Sequence, residues 1–212
     1  MTDTTSKEHW HRVYATEPDT QLSWFQASAS PSFELIERTG VTREASIIDI
    51  GGGASRLVDL LVSARYGDLT VLDLSGVALN VAMRRLGPEG ADVEWIAADV
   101  TQWLPARRYD IWHDRATFHF LTDPAARATY VDSLHRGLNL GGFVIMGTFA
   151  PDGPERFSGL PVMRYDGAGL ARQLGSSFRL IHAERHIHKT PTGVEQRFQF
   201  AVLQRTVGTG TA

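Results

Sequence analysis

An α/β fold with a doubly wound, mostly parallel sheet is what this sequence of 212 residues predicts. Three observations carry that reading. Short apolar runs near Ile47, Val71, Val93, Ile111 and Val144 alternate with stretches of helical periodicity, the pattern of successive βαβ units. The first three of these runs lead into an acid, at Asp49, Asp73 and Asp99. The first also enters a glycine-rich turn, Gly51-Gly52-Gly53, and then a helical stretch. Right-handed crossovers bring all these exits to one edge of the sheet, where ligands of open α/β sheets bind.

The N-terminal segment, up to about residue 40, is polar and punctuated by Trp10, Tyr14, Trp24 and Phe25, and Pro18 interrupts any long helix there. Its aromatics either staple an N-terminal helix onto the core or close over a bound ligand. Helices are expected over residues 31–39, 54–64, 75–86, 124–138 and 167–174. The fourth opens with Asp123 as N-cap and Pro124 at the first helical position, and Gly141-Gly142 separates it from a fifth strand over residues 143–149. Residues 150–161 form a loop rich in Gly and Pro at the sheet's carboxyl edge, a place where long loops shape binding sites. Residues 178–188 and 194–203 flank the turn signal Thr190-Pro191-Thr192-Gly193 and read as an antiparallel hairpin.

Residues 47–55, IIDIGGGAS, carry the chemistry. Gly51 and Gly53 open backbone angles closed to other residues, so the chain can pass close under a ligand with its amides facing it. A dinucleotide turn, GxGxxG, needs a small residue where this sequence has Arg56. Asp73 stands 24 residues after Asp49, near the interval at which a carboxylate reaches ribose hydroxyls; the competing role is a helix N-cap, which Ser75 fills as readily. Asp99 is placed to accept from a ligand's donor or to cap Thr101-Gln102-Trp103.

Asp49 with the turn that follows resembles motif I, DxGxGxG, of the class I S-adenosylmethionine methyltransferases, with Ser55 at the place of the third glycine. The resemblance covers about residues 46–203. It implies a Rossmann-like, seven-stranded sheet in the order 3-2-1-4-5-7-6, closed by the C-terminal hairpin. It implies S-adenosylmethionine as cofactor, with Asp49, Gly51 and Gly53 cradling the amino-acid end, Asp73 on the ribose and Asp99 facing the adenine amine, Leu74 and Val100 beside them. N-terminal segments often cover the site in this family, which brings in Tyr14 and Trp24 as further contacts. The stretch HDRATFHFL after the fourth strand resembles the DKGTFD segment of a subset that includes lysine-methylating enzymes of elongation factors, but has His119 where that subset has an acid.

His119 is the preferred general base, if one is needed, because imidazole accepts a proton near neutral pH, and Asp114 is placed to orient the acceptor, to bridge to the cofactor or to cap its loop. His182, His186 and His188 alternate on one strand face and read as solvated or satisfied side chains, so no metal is expected. A near balance of 21 Lys and Arg against 24 Asp and Glu gives no electrostatic argument for a nucleic-acid partner, and Arg84-Arg85 and Arg107-Arg108 read as solvated faces. With no cysteine, disulfides and thiolate chemistry are excluded. A polar start and the lack of an apolar run of ~20 residues lead to the expectation of a soluble, cytoplasmic protein.

The sequence thus predicts one methyltransferase domain over residues 1–212, with a lid over 1–40 and a cofactor-binding core over 46–204. The expected reaction is methyl transfer from S-adenosylmethionine to a small molecule. Rival readings are a protein-lysine methyltransferase, an NAD-dependent oxidoreductase and a non-catalytic binding protein; no oligomeric state is assigned.

Overall fold

A computed structural model describes residues 3–206. In chain order it contains α1 (Asp3–Thr16), α2 (Ser32–Arg38), β1 (Ser46–Ile50), α3 (Leu57–Ser63), β2 (Asp68–Asp73), α4 (Gly76–Leu86), β3 (Glu94–Ala97) and β4 (Tyr109–Arg115). Then follow α5 (Pro124–Gly137), β5 (Leu138–Phe149), β6 (Arg156–Phe157), β7 (Leu160–Pro161), α6 (Gly167–Leu174), β8 (Phe178–Lys189) and β9 (Glu195–Arg205). Seven strands form one sheet in the order β3-β2-β1-β4-β5-β9-β8, parallel as far as β5 and antiparallel through β9 and β8. With the separate β6–β7 pair set aside, this is the strand order the motif-I resemblance implied.

Strand periodicity explains the two cores. Ile47, Ile111, Ile145 and Phe200 point to one face and pack under α2 and α3, while Ile48, Ile50, Trp112, Val144 and Met146 point to the other with Tyr130 and Leu170 of α5 and α6. β1 is buried along its whole length, as a central parallel strand must be. Helix starts are set by local caps: Ser75 Oγ accepts from the Ala78 amide at 3.3 Å, an Asp123 oxygen from Ala126 at 3.1 Å and an Asp166 oxygen from Gly169 at 2.6 Å.

The structure departs from the sequence expectation in three places. The helix expected from residue 54 starts at Leu57, because residues 51–55 stay in the turn and the Ser55 amide bonds to Gly52 O at 2.7 Å. The fifth strand starts at Leu138 rather than Phe143: Leu138 pairs with Tyr109 across an irregularity in β4, and Gly141, at φ +83°, carries the strand through the bend. The Gly/Pro-rich loop folds part of itself into the β6–β7 hairpin, where the buried Phe157 and Leu160 face each other. Among the described residues, no helix is long and apolar enough to cross a membrane.

Candidate functional site

The turn after β1 is closely packed. Gly51 has φ +68°, and a Cβ there would stand 1.8 Å from Thr117 Oγ1; Gly53 has φ +41°, with a hypothetical Cβ 2.8 Å from Asp73 Oδ2 and 3.3 Å from the Tyr14 hydroxyl. Only glycine fits either position. The Gly51 and Gly52 amides, expected to face a ligand, instead donate to Leu72 O at 2.7 and 3.3 Å, so they brace β1 against β2. Arg85 holds the far side of the turn, donating to Ala54 O at 3.1 Å and Ser55 O at 2.7 Å while gripping Asp59. The Arg84-Arg85 pair read as solvated from sequence, so Arg85 is a correction: its charge is drawn inward by two carbonyls and a carboxylate. Arg108 is exposed as expected and donates to Leu138 O at 2.7 Å.

A cavity of about 460 Å³ opens over this turn along the carboxyl edge of the sheet. Because the strands lie in the order β3-β2-β1-β4-β5, its lining divides into two halves. Over β3, β2 and β1 stand Asp99, Val100, Asp73, Leu74 and Gly51; over β4 and β5 stand His113, Arg115, Thr117, Phe120 and Phe157. The N-terminal segment roofs both. Trp24 Nε1 donates to the Tyr14 hydroxyl at 3.0 Å, and Trp24 meets Trp10, Tyr14 and Phe157 edge-on at 5.5–5.9 Å between ring centroids. Asp19 reaches Arg56 at 3.6 Å and Arg85 at 3.9 Å, and the Ser23 carbonyl bonds to His188 Nε2 at 2.8 Å. The expected lid residues Tyr14 and Trp24 therefore line the cavity.

The acids differ in what they have left to offer. Asp49 is buried; its Oδ1 lies 2.6 Å from His113 Nδ1, and its Oδ2 is buried without a hydrogen-bond partner. Asp73 Oδ1 accepts from the Ser75 amide at 2.7 Å, and Oδ2 lies over Gly53. Ser75, not Asp73, caps α4. Burial pushes the Asp73 carboxyl up to about 7, against the pull of the Ser75 amide and with a push from Asp49. Burial and the nearby Asp73 charge likewise raise the Tyr14 phenol. Asp99 Oδ1 takes both the amide and the hydroxyl of Thr101 at 2.8 Å, while Oδ2 takes no part in that turn.

Two sequence candidates do not line the cavity. Asp114 is fully buried and closes the loop after β4: it accepts from the Thr117 amide at 2.9 Å, the Phe118 amide at 3.1 Å and the Tyr130 hydroxyl at 2.6 Å. His119 is also fully buried, stacked on Phe149 at 4.7 Å and 14°, and its Nδ1 accepts from the Phe149 amide at 3.3 Å. Burial pulls its pKa down to about 3, so it is neutral at physiological pH and does not reach the cavity that the acceptor would enter. Arg115, which no motif singled out, does line it. Its guanidinium donates to Trp24 O at 2.9 Å and to Gln26 Oε1, and burial lowers its pKa. Its position two residues beyond His113 on β4, on the same face, is the signal a strand-alternation reading offered.

This donor set fits a bound adenosyl amino acid: a carboxylate oxygen free at the end of β2, another after β3, and an orphaned buried oxygen on Asp49 beside the glycine turn. Residues 47–142 match the sequence family described as "Methyltransferase domain". Over those residues the core is similar to the class I S-adenosylmethionine methyltransferases. Two proteins similar to this chain are EEF1A lysine methyltransferase 2 of Mus musculus, 28% identical over 66% of this chain and 64% of that protein, and trans-aconitate 2-methyltransferase of Azoarcus sp. (strain BH72), 31% identical over 51% and 41%. The chain thus spans less than two thirds of either relative. In fold, the domain is similar to 1,6-didemethyltoxoflavin-N1-methyltransferase of Burkholderia thailandensis, with a TM-score of 0.67 and 21% identity over 97% of this chain and 86% of the other.

Proposed function

We propose that the chain is an enzyme that transfers the methyl group of S-adenosylmethionine to a small-molecule acceptor, releasing S-adenosylhomocysteine. The observation that carries this reading is the two-part cavity, acidic over β3, β2 and β1, aromatic over β4 and β5, and joined at the glycine turn. When bound, the cofactor supplies an electrophilic methyl carbon on a sulfonium. Asp73 takes the ribose hydroxyls, Asp99 the adenine amine, and Asp49 Oδ2 the amino-acid ammonium, with Leu74 and Val100 against the base and Gly51 and Gly53 giving way to the chain's close approach. Tyr14 and Trp24 belong to the lid formed by residues 1–40 over the core at 46–204. Positioning and exclusion of water under this lid supply the acceleration, and no proton need be taken by His119 or Asp114.

A small acceptor is favoured over a protein lysine because the roof spans the aromatic half and Arg115 places a cation there, where an ammonium would be repelled. The relatives' names point both ways, to EEF1A lysine and to trans-aconitate. Against an NAD-dependent oxidoreductase stands Arg56, engaged with Asp19 where a dinucleotide turn needs a small residue. Calorimetric titration with S-adenosylmethionine, S-adenosylhomocysteine and NAD tests the reading. Micromolar affinity for the first two and none for NAD is expected; binding of NAD alone overturns it.

A further inference from the structure

Arg115 is a cation without an ion-pair partner among the described residues, set in the wall of the acceptor half of the cavity. Its hydrogen-bond acceptors, Trp24 O and Gln26 Oε1, are both neutral; the Asp49 charge favours the guanidinium from nearby but makes no ion pair with it, its Oδ1 being bonded to His113. A partly buried guanidinium satisfied only by neutral oxygens keeps most of its attraction for an anion. Around it the wall is aromatic: Trp10, Trp24, Phe120 and Phe157 form a continuous edge-to-face and tilted set at 5.2–6.3 Å between centroids. Such a wall receives a flat apolar body.

No histidine that lines this half is free to take a proton. His113 has both ring nitrogens engaged, Nδ1 by Asp49 at 2.6 Å and Nε2 by Ser32 Oγ at 2.8 Å, and His119 is sealed behind Phe149. An amine or alcohol acceptor must lose a proton during or after attack; a carboxylate has none to lose.

Resting on the methyltransferase reading above, we propose that the acceptor is a planar carboxylate, held by Arg115 and methylated on oxygen. One carboxylate oxygen attacks the methyl carbon, the carbon–sulfur bond breaks with its electron pair going to sulfur, and the products are a methyl ester and S-adenosylhomocysteine. No proton changes hands. Arg115 orients the carboxylate through its other oxygen, so the attacking oxygen keeps its charge.

The test uses protein loaded with S-adenosylhomocysteine and four probes, benzoate, cinnamate, benzamide and benzylamine, read by calorimetry and by quenching of Trp10 and Trp24 fluorescence. Expected is binding of the two carboxylates over the amide and amine, weakened about tenfold to a hundredfold in Arg115→Gln and partly retained in Arg115→Lys. With methyl-labelled S-adenosylmethionine, label on the bound carboxylate should be released as methanol by mild alkali. Alkali-stable label, preference for benzylamine, or no carboxylate binding overturns the proposal. A second source of the same chemistry is the cofactor's own carboxylate. If Arg115→Gln weakens S-adenosylhomocysteine but leaves 5′-methylthioadenosine unchanged, Arg115 belongs to the cofactor tail and the proposal falls. Because Arg115 also braces residues 24–26, the unmutated protein's probe preference and alkali lability decide the matter if the variant does not fold. Loss of all S-adenosylmethionine binding in the unmutated protein, by contrast, would sink the parent reading.

Discussion

His113 Nδ1 stands 2.6 Å from Asp49 Oδ1, and the two residues are register partners on the adjacent strands β4 and β1. A carboxylate only accepts, so Nδ1 carries the hydrogen, and Nε2 lies 2.8 Å from the Ser32 hydroxyl. The chain Asp49–His113–Ser32 thus ties the acid before the glycine turn to the first turn of α2. Replacing His113 with Phe fills the space but strips Asp49 of its donor in a site only 3% exposed. Breaking a buried pair in this way costs about 3 kcal/mol or more, which in a chain of this size lowers Tm by roughly 6–12 °C. Ser32→Ala removes only the outer bond and should cost about 1 kcal/mol. Thermal unfolding of both variants measures the difference; equal, small shifts would mean that His113 does not hold Asp49.

If Asp73 holds the ribose as proposed, cofactor affinity should depend on pH. Its carboxyl, raised by burial to about 7 from an ordinary 3.8, holds a proton in the ligand-free protein below that pH, whereas ribose hydroxyls donate more strongly to the ionised form. Affinity for S-adenosylmethionine should therefore fall by up to tenfold per pH unit below about 7 and level off above it, with a proton released on binding. The same raised pKa makes Asp73 favour the ligand-free fold at low pH, a contribution lost as pH rises from about 4 through 7. Calorimetry in buffers of different ionisation enthalpy reads the proton. Asp73→Asn should bind more weakly by about 1–3 kcal/mol with no pH slope. A flat profile in the unmutated protein would refute the ribose role.

The sheet and the acidic half of the cavity were legible in the sequence because both are local: apolar runs of strand length, an acid at each exit and a glycine turn state themselves in consecutive residues. The aromatic half was less so. Phe157 reaches it through a hairpin hidden in a loop, and Trp10 and Trp24 arrive from a segment whose placement rests on Asp19 meeting Arg56 and on His188 meeting Ser23. Contacts between residues as far apart as Ser23 and His188 leave no periodic trace. His119 and Asp114 illustrate the converse. They occupy a motif position, but the turn after β4, pinned by left-handed Ala116 at φ +73°, rotates one onto Phe149 and the other onto backbone amides.

His119 consequently has a structural role with a pH signature. Its pKa is pulled down to about 3, so unfolding below pH 6.5 takes up a proton that the fold excludes. Its contribution to stability is present above pH 6.5 and is lost progressively as pH falls from there toward 3, by up to about 1.4 kcal/mol per unit. A His119→Asn variant should lose part of that slope, lose about 1–3 kcal/mol at pH 7.5 through the poorer stack on Phe149, and keep the pH profile of turnover unchanged. A shifted turnover profile would return His119 to the chemistry.

Trp24 tests the lid. Its ring touches Trp10, Tyr14 and Phe157, its indole nitrogen donates to Tyr14, and its carbonyl accepts from Arg115, so one residue joins the roof to both halves of the cavity. Trp24→Ala removes the ring but leaves the carbonyl contact to Arg115. The aromatic half loses its roof, while Asp73, Asp99 and the glycine turn remain. KM for the acceptor should therefore rise by at least tenfold, about 1.4 kcal/mol, with S-adenosylmethionine affinity changing less. Water admitted to the site should also lower kcat, because the transfer relies on desolvation. If the roof were instead only a staple for α1, the variant would lose Tm with KM and kcat unchanged at temperatures where it stays folded, and paired unfolding and initial-rate measurements separate the two outcomes.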